Sequence, residues 1–220
     1  SAWEEAYGFG LSTGVQTVSG GSGGAGFEFT PNFTPDGATL RIGYTPDADS
    51  GSANDKVTAG ANGPAGQAWD LTLDLASGVH GVEGLDLFAG YADITMESVN
   101  AAHQTGDKEE WTVGANYAIG GLSLGYQYSI EDVATTSADF YENSAYGVSF
   151  NINDDLSISY NTYESQRHSG SANLRQETDA ISIGYAIGGM SIGFTDAQTD
   201  NAAYASGADD TRTLSVKVAF

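Results

Sequence analysis

The sequence predicts an all-β fold, an antiparallel transmembrane β-barrel, and three observations point to it. Apolar residues alternate with small or polar ones along most of the chain, and helical periodicity is almost absent. The segment Tyr-Ala-Ile-Gly-Gly occurs at 117–121 and again at 185–189, so one hairpin with a two-residue turn is repeated. No stretch approaches the ~18 consecutive apolar residues that a membrane-spanning helix needs, which excludes a helical membrane protein.

The alternation divides the chain after residue 25 into about eleven strands without a linker, which predicts one domain over 26–220. The predicted strands span residues 26–33, 38–45, 68–76, 84–94, 110–119, 122–130, 144–152, 156–164, 178–187, 190–196 and 211–220.

The connections between these strands alternate in length. Short turns are expected at 34–37, 77–83, 120–121, 153–155 and 188–189. Long polar loops are expected at 46–67, 95–109, 131–143, 165–177 and 197–210. Short turns on one side and long loops on the other are typical of outer-membrane barrels, which have short periplasmic turns and longer extracellular loops.

The two faces of the strands differ in the way a membrane barrel requires. One face carries residues such as Ser123, Gln127 and Ser157, which are small or hydrophilic. The other carries Leu, Ile and Val, with Tyr or Phe near both strand ends, as at Tyr117 and Tyr126. Aromatic girdles around an apolar band indicate a lipid-facing exterior and a polar lumen.

The charge and the cysteine content exclude several other classes. Acidic residues number 29 against 7 basic ones, which argues against a nucleic-acid partner, because binding a polyanion requires clustered Lys and Arg. The chain has no Cys, which excludes a disulfide scaffold and a thiolate metal site. The three histidines, His80, His103 and His168, do not stand with an acid and a nucleophile at a recurring strand spacing, so we expect no enzymatic activity.

One acidic segment resembles half of a calcium loop. Asp47, Asp49 and Asp55 have part of the required spacing, but Thr58 stands where an EF-hand has its bidentate Glu. Calcium bound at these acidic loops and solvated loop charge are the two alternatives. No other cofactor is expected.

The C-terminal strand carries a resemblance to a known family. Residues 213–220 alternate strictly and end on Phe220, which resembles the C-terminal signature of bacterial outer-membrane barrels, where the terminal Phe is read by the insertion machinery. The hairpin at 117–128 and the segments 145–150 and 153–160 are similar to Gram-negative general porins of the alphaproteobacterial type. The whole chain resembles the C-terminal two-thirds of such a porin.

That resemblance implies about 16 strands, of which the chain supplies about eleven. Counting back from the last strand places residues 1–25 partly in the constriction loop, the loop that folds into a porin barrel, and Trp3-Glu4-Glu5-Ala6 is similar to what such loops carry. The chain is then expected to lack about five strands of a complete porin. The alternative is a complete small barrel in which residues 6–18 form a twelfth strand.

The resemblance further implies a homotrimer in the bacterial outer membrane, surrounded by lipid and lipopolysaccharide, that passes small hydrophilic solutes by diffusion. The expected pore-lining and constriction residues are Glu4, Glu5, Glu28, Arg41, Asp70, Asp74 and Asp86. Arg41 is the one wall cation expected to face the two loop glutamates, and this excess of carboxylates predicts a preference for cations. The alternative function is a surface adhesin or receptor whose long acidic loops bind a partner.

Overall fold

A computed structural model describes residues 26–46, 65–96, 107–132, 140–170 and 172–218, and eleven strands form a single sheet in these ranges. The strands are β1 (Phe27–Phe29), β2 (Ala38–Thr45), β3 (Ala65–Leu75), β4 (Leu85–Met96), β5 (Lys108–Ile119), β6 (Leu122–Asp132), β7 (Phe140–Asn151), β8 (Leu156–Ser169), β9 (Ala172–Ile187), β10 (Met190–Asp200) and β11 (Ala208–Val218).

Each strand pairs antiparallel with its neighbours in sequence, so the order across the sheet is β1 to β11. Within the described residues β1 and β11 are therefore the two edges. Antiparallel neighbours joined by hairpins satisfy their backbone N–H and C=O groups between strands, as a membrane barrel wall requires. The all-β antiparallel prediction is confirmed.

The two tight hairpins form as the sequence predicts. Gly120–Gly121 joins β5 to β6, and Gly188–Gly189 joins β9 to β10. The first glycine of each turn has a positive φ, +57° at Gly120 and +56° at Gly188, which is the conformation that two-residue turns need.

Several strands are longer than predicted, and one loop prediction is wrong. β8 runs to Ser169 and β9 starts at Ala172, so a short turn replaces the long loop expected at 165–177. β6, β7, β10 and β11 likewise extend into the predicted loops 131–143 and 197–210. Most of the added residues are polar, so hydrophobic periodicity gives little signal there although the backbone pairing continues; Phe140 and Tyr141 at the start of β7 are exceptions.

Two smaller corrections concern the N-terminal half. β1 covers only Phe27–Phe29 instead of residues 26–33, and Pro31, which has no N–H to give to a ladder, lies two residues after its end. The turn predicted at 77–83 contains one helical turn, α1 (Ser77–His80), which ends at Gly81 with φ +77°. No helix in the described part of the chain is long and apolar enough to span a membrane.

Glycine at position 84, between α1 and β4, is predicted to be essential for this connection. Gly84 has φ +78°, and a Cβ there would overlap the carbonyl oxygen of Ala118. Gly81 has nearly the same φ but open space around it. Gly81→Ala should therefore lower the free energy of unfolding by the left-handed strain alone, about 1–2 kcal/mol, and Gly84→Ala by clearly more.

The measurement is urea unfolding of each variant after folding into detergent micelles. Equal destabilisation by the two substitutions would show that the contact with Ala118 does not constrain the connection.

Candidate functional site

Polar side chains of successive strands share one face of the sheet, here called the polar face. Cross-strand partners lie on the same face, so the register can be followed from strand to strand. One row contains, from β5 to β9, Thr112, Ser129, Asn143, Ser165 and Gln176. Another contains, from β6 to β11, Ser123, Ser149, Ser159, Ser182, Thr195 and Thr213. The residues expected from alternation to face water lie on this face.

The opposite face, here called the apolar face, exposes large side chains. Leu124 is 43% exposed and Ile158 is 40% exposed, although both lie in mid-sheet strands. Val113, Leu124, Tyr126, Tyr146, Phe150, Ile158, Ile183, Tyr185, Phe194 and Val216 are all exposed. A soluble monomer rarely exposes so continuous an apolar surface, so this face requires an apolar environment.

Carboxylates appear on the apolar face toward the strand ends that lie away from the tight hairpins. The Tyr128 hydroxyl donates to Glu142 Oε1 at 2.6 Å, and the Tyr160 hydroxyl donates to Asp179 Oδ1 at 2.6 Å. The aromatic residues thus join the apolar band to a charged rim, the arrangement that interfacial girdles adopt.

The ionisable residues predicted for the pore lining lie on the polar face where the structure describes them. Asp70 is opposite Gly43 and Ala92, and Asp86 is opposite Asn116. Glu28 is on the edge strand β1, opposite Gly43, and is exposed. The structure therefore brings these carboxylates to one wall of the sheet, formed by β1 to β4.

Arg41 forms an ion pair within this wall. Its Nη1 donates to Asp74 Oδ2 at 2.7 Å, and both side chains are about half exposed. Exposed pairs of this kind contribute little to stability, typically ~0–1 kcal/mol. The effect of the pair on the electrostatic field along this wall is more relevant than its effect on stability, because Arg41 neutralises the charge of Asp74.

Sequence reasoning missed a buried charged cluster on β5 and β6. Glu110 and Glu131 are direct cross-strand partners, and Lys108 lies on the same face. Lys108 Nζ is 3.4 Å from Glu131 Oε1 and 3.7 Å from Glu110 Oε1, which are ion-pair distances without hydrogen-bond geometry. Like charges directly opposite each other repel, so Lys108 is needed between them.

Arg41 is not the only cation on the polar face of the described strands, and its expected place opposite Glu4 and Glu5 stays a prediction because those two residues lie outside the described residues. Lys108 and Arg167 also lie on the polar face, Arg167 opposite Tyr141. Both fall outside the strands predicted from the sequence, which began at 110 and ended at 164. Extending the alternation of Thr112 and Asn116 backward by two positions beyond Glu110 would have placed Lys108 on this face.

The described residues of the polar face line two cavities. One, of about 890 Å³, lies at the tight-hairpin end of β8 to β11, and Ser157, Ser182, Ser215 and Lys217 are among the residues that line it. The other, of about 290 Å³, is lined by Asp86, Asn116, Ser123 and Asn161 among others. Hydroxyl, amide and charged groups line both cavities, so this face can form hydrogen bonds with water and with small polar solutes.

Several predicted residues lie outside the described residues. These are Glu4 and Glu5, the terminal Phe220, and the calcium candidates Asp47, Asp49 and Asp55. The roles of all six stay predictions. Over the ranges that the structure describes, no group of three or more His, Cys, Asp or Glu side chains has an arrangement that could hold a metal ion.

Comparison with known proteins finds relatives in structure only. No protein-family model and no curated protein sequence matches the chain. The fold is similar to an anion-selective porin from Comamonas acidovorans, with a TM-score of 0.63 and 14% identity over 88% of this chain and 58% of that one.

A porin refined at 1.8 Å resolution gives a TM-score of 0.60 with 16% identity, covering 88% of this chain and 60% of that one. A trimer form of the in-vitro folded outer-membrane protein OmpT of Vibrio cholerae gives a TM-score of 0.58 with 10% identity, covering 87% of this chain and 62% of that one. The chain therefore spans about three-fifths of the length of these porins and outer-membrane proteins, and over that span it shares their antiparallel β-barrel fold.

Proposed function

We propose that this chain forms the wall of a water-filled channel through which small hydrophilic solutes and ions diffuse across the bacterial outer membrane. The observation that carries the proposal is the continuous register, which puts the polar side chains on one face and the exposed large apolar ones on the other. Passive diffusion makes and breaks no bond, so the proposal assigns no catalytic residue.

The proposal includes the surroundings of the barrel. Outer-membrane lipid would contact the apolar face, and lipopolysaccharide would meet its charged rim, which includes Glu142 and Asp179. We also propose a homotrimer of the alphaproteobacterial general-porin type. The trimer form of OmpT, which has a similar fold, supports that state, and the mass of the folded protein in detergent would test it.

The selectivity we propose is a preference for cations. The described strands place on the polar face the carboxylates of Glu28, Asp70, Asp74, Asp86, Glu110, Glu131 and Asp209. The basic groups on that face are Arg41, Lys108, Arg167 and Lys217. A lining with more carboxylates than basic groups attracts cations. Anion selectivity belongs to the Comamonas acidovorans porin, and a shared fold does not fix the sign of the lining charge.

The first prediction concerns which face meets lipid. Arg at Leu124 or Ile158, both exposed on the apolar face, should make folding into lipid vesicles less favourable, by an amount that reaches about 2–4 kcal/mol at the membrane midplane and falls toward the interfaces. Arg at the neighbouring Ser123 or Ser157, on the polar face, should be tolerated because the side chain would meet water.

Folding of the four variants into vesicles, followed by urea titration, measures the difference. Equal tolerance at the apolar and polar positions would contradict the assignment of the faces.

The second prediction concerns whether cations or anions carry most of the current. In a potassium chloride gradient across a planar bilayer, the reversal potential should show a preference for K⁺, because the wall carboxylates concentrate cations. The preference should weaken at high salt, where the screening length falls to about 3 Å at 1 M.

The double variant Glu28→Gln/Asp86→Asn should reduce this preference, since both exposed carboxylates lie on the polar face. Asp200→Asn/Asp210→Asn is the matched control, because it removes the same charge from exposed residues of the apolar face. A preference for Cl⁻ in the unmodified protein, or equal effects of the two double variants, would refute the proposed selectivity. Absence of any open-channel current would instead favour an adhesin or receptor barrel.

A further inference from the structure

The connection between β10 and β11 folds back over the polar face instead of extending away from the sheet. Residues Ala202–Tyr204 form a tight turn within it, in which Ala203 and Tyr204 have left-handed backbone. The backbone N–H of Ala203 donates to Gln176 Oε1 of β9 at 2.6 Å, and the Gln176 side chain is buried. The connection therefore crosses at least one strand of the polar face.

Tyr204 reaches further, to β8. Its hydroxyl is 2.6 Å from Ser165 Oγ, and Ser165 Oγ donates to Asn143 Oδ1 of β7, also at 2.6 Å. A serine hydroxyl has one proton to donate, so Tyr204 must be the donor in its bond to Ser165. Asn143 Nδ2 continues the chain to Ser129 of β6 at 3.4 Å. Tyr204 is thus hydrogen-bonded into a row that spans three strands.

The ring of Tyr204 is held as firmly as its hydroxyl. It lies 5.3 Å from the ring of Tyr141, and the guanidinium carbon of Arg167 lies 5.3 Å from its centroid. Tyr204 is only 6% exposed. An aromatic side chain from a connecting segment is therefore packed among groups that alternation assigns to the lumen.

The backbone of the connection is strained. Asn201, Ala203 and Tyr204 have φ values of +53°, +56° and +56°, and among the described residues positive φ outside glycine occurs only here. Residues other than Gly adopt this conformation at a cost, so it persists only where surrounding contacts impose it, and such strain clusters at functional sites.

We propose that residues 201–207 are a strap that narrows the water-filled passage, and that Tyr204 is the anchor that holds the strap over the polar face. The inference rests on the proposed channel function. The strap contains no charged residue, so it would restrict solutes by size, while the carboxylates of the β1 to β4 wall act on charge. It adds a constriction that is independent of the predicted one near Glu4 and Glu5.

The absence of cysteine from the chain makes a direct test available. In Ala205→Cys, a thiol is placed on an exposed position of the strap. Reaction with a bulky charged methanethiosulfonate should then cause a loss of single-channel current in a planar bilayer. The matched control is Gly170→Cys, in the exposed β8–β9 turn at the same end of the strands, where a Cβ has open space. Its modification should leave the current unchanged.

A second measurement tests the anchor. Tyr204→Ala should admit larger sugars in liposome swelling than the unmodified protein, and Tyr204→Phe, which keeps the ring and loses the hydroxyl, should shift the size limit less. Tyr146→Ala removes an exposed tyrosine from the apolar face and should not change the limit. Folding of each variant is checked by its electrophoretic mobility before and after heating.

The outcomes separate the two proposals. A conducting unmodified protein whose current is insensitive to modification at position 205 overturns the strap, as does a folded Tyr204→Ala variant with an unchanged size limit. If Tyr204→Ala does not fold, modification at position 205 decides alone. An unmodified protein that folds and passes no current overturns the channel function itself, and the strap with it.

Discussion

The constraint on which this structure depends is the unbroken register of its antiparallel sheet. Side chains alternate with period two, so a slip of one residue in any strand pair would move every later side chain to the other face. The register is kept across the sheet, as the row from Ser123 to Thr213 shows. The apolar face, the polar face and the two cavities all follow from that single alignment.

The sequence was most informative where local chemistry decides structure. Strand β2 has the predicted bounds, 38–45, and the hairpins at Gly120 and Gly188 form as expected. In these segments alternation and turn chemistry act within a few residues of one another, so the signal is complete in the local sequence. The assignment of Asp70, Asp74 and Asp86 to one face follows in the same way, because parity within a strand requires no knowledge of distant residues.

The features that could not be predicted depend on partners far away in the sequence. The segment from Glu164 to Ser169 is polar on both faces, so its strand character comes only from pairing with β7 and β9. The ion pairs of Lys108 with Glu110 and Glu131 are recognised only when the two glutamates are known to be cross-strand partners. The contact of Tyr204 with Ser165 joins residues 39 positions apart through two hydroxyls, and neither residue type in isolation indicates it.

The energetics of the strap explain why its few side-chain contacts are needed to hold it in place. Left-handed backbone costs about 1–2 kcal/mol per residue, and Ala203 and Tyr204 lack the short polar side chain that makes Asn201 more tolerant of it. Against this stand burial of the Tyr204 ring, about 2 kcal/mol, its hydrogen bond to Ser165, about 1 kcal/mol, and the contact with Arg167, about 0.5–1 kcal/mol. The hydrogen bond from Ala203 to Gln176 and the ring contact with Tyr141 add to these terms, so the contacts are large enough to offset the strain. The position of the strap is therefore set by a few side-chain contacts, whereas the rest of the polar face is fixed by the backbone ladder of the sheet. In the proposed channel, the wall formed by the sheet would set the charge of the passage and the strap would set its width.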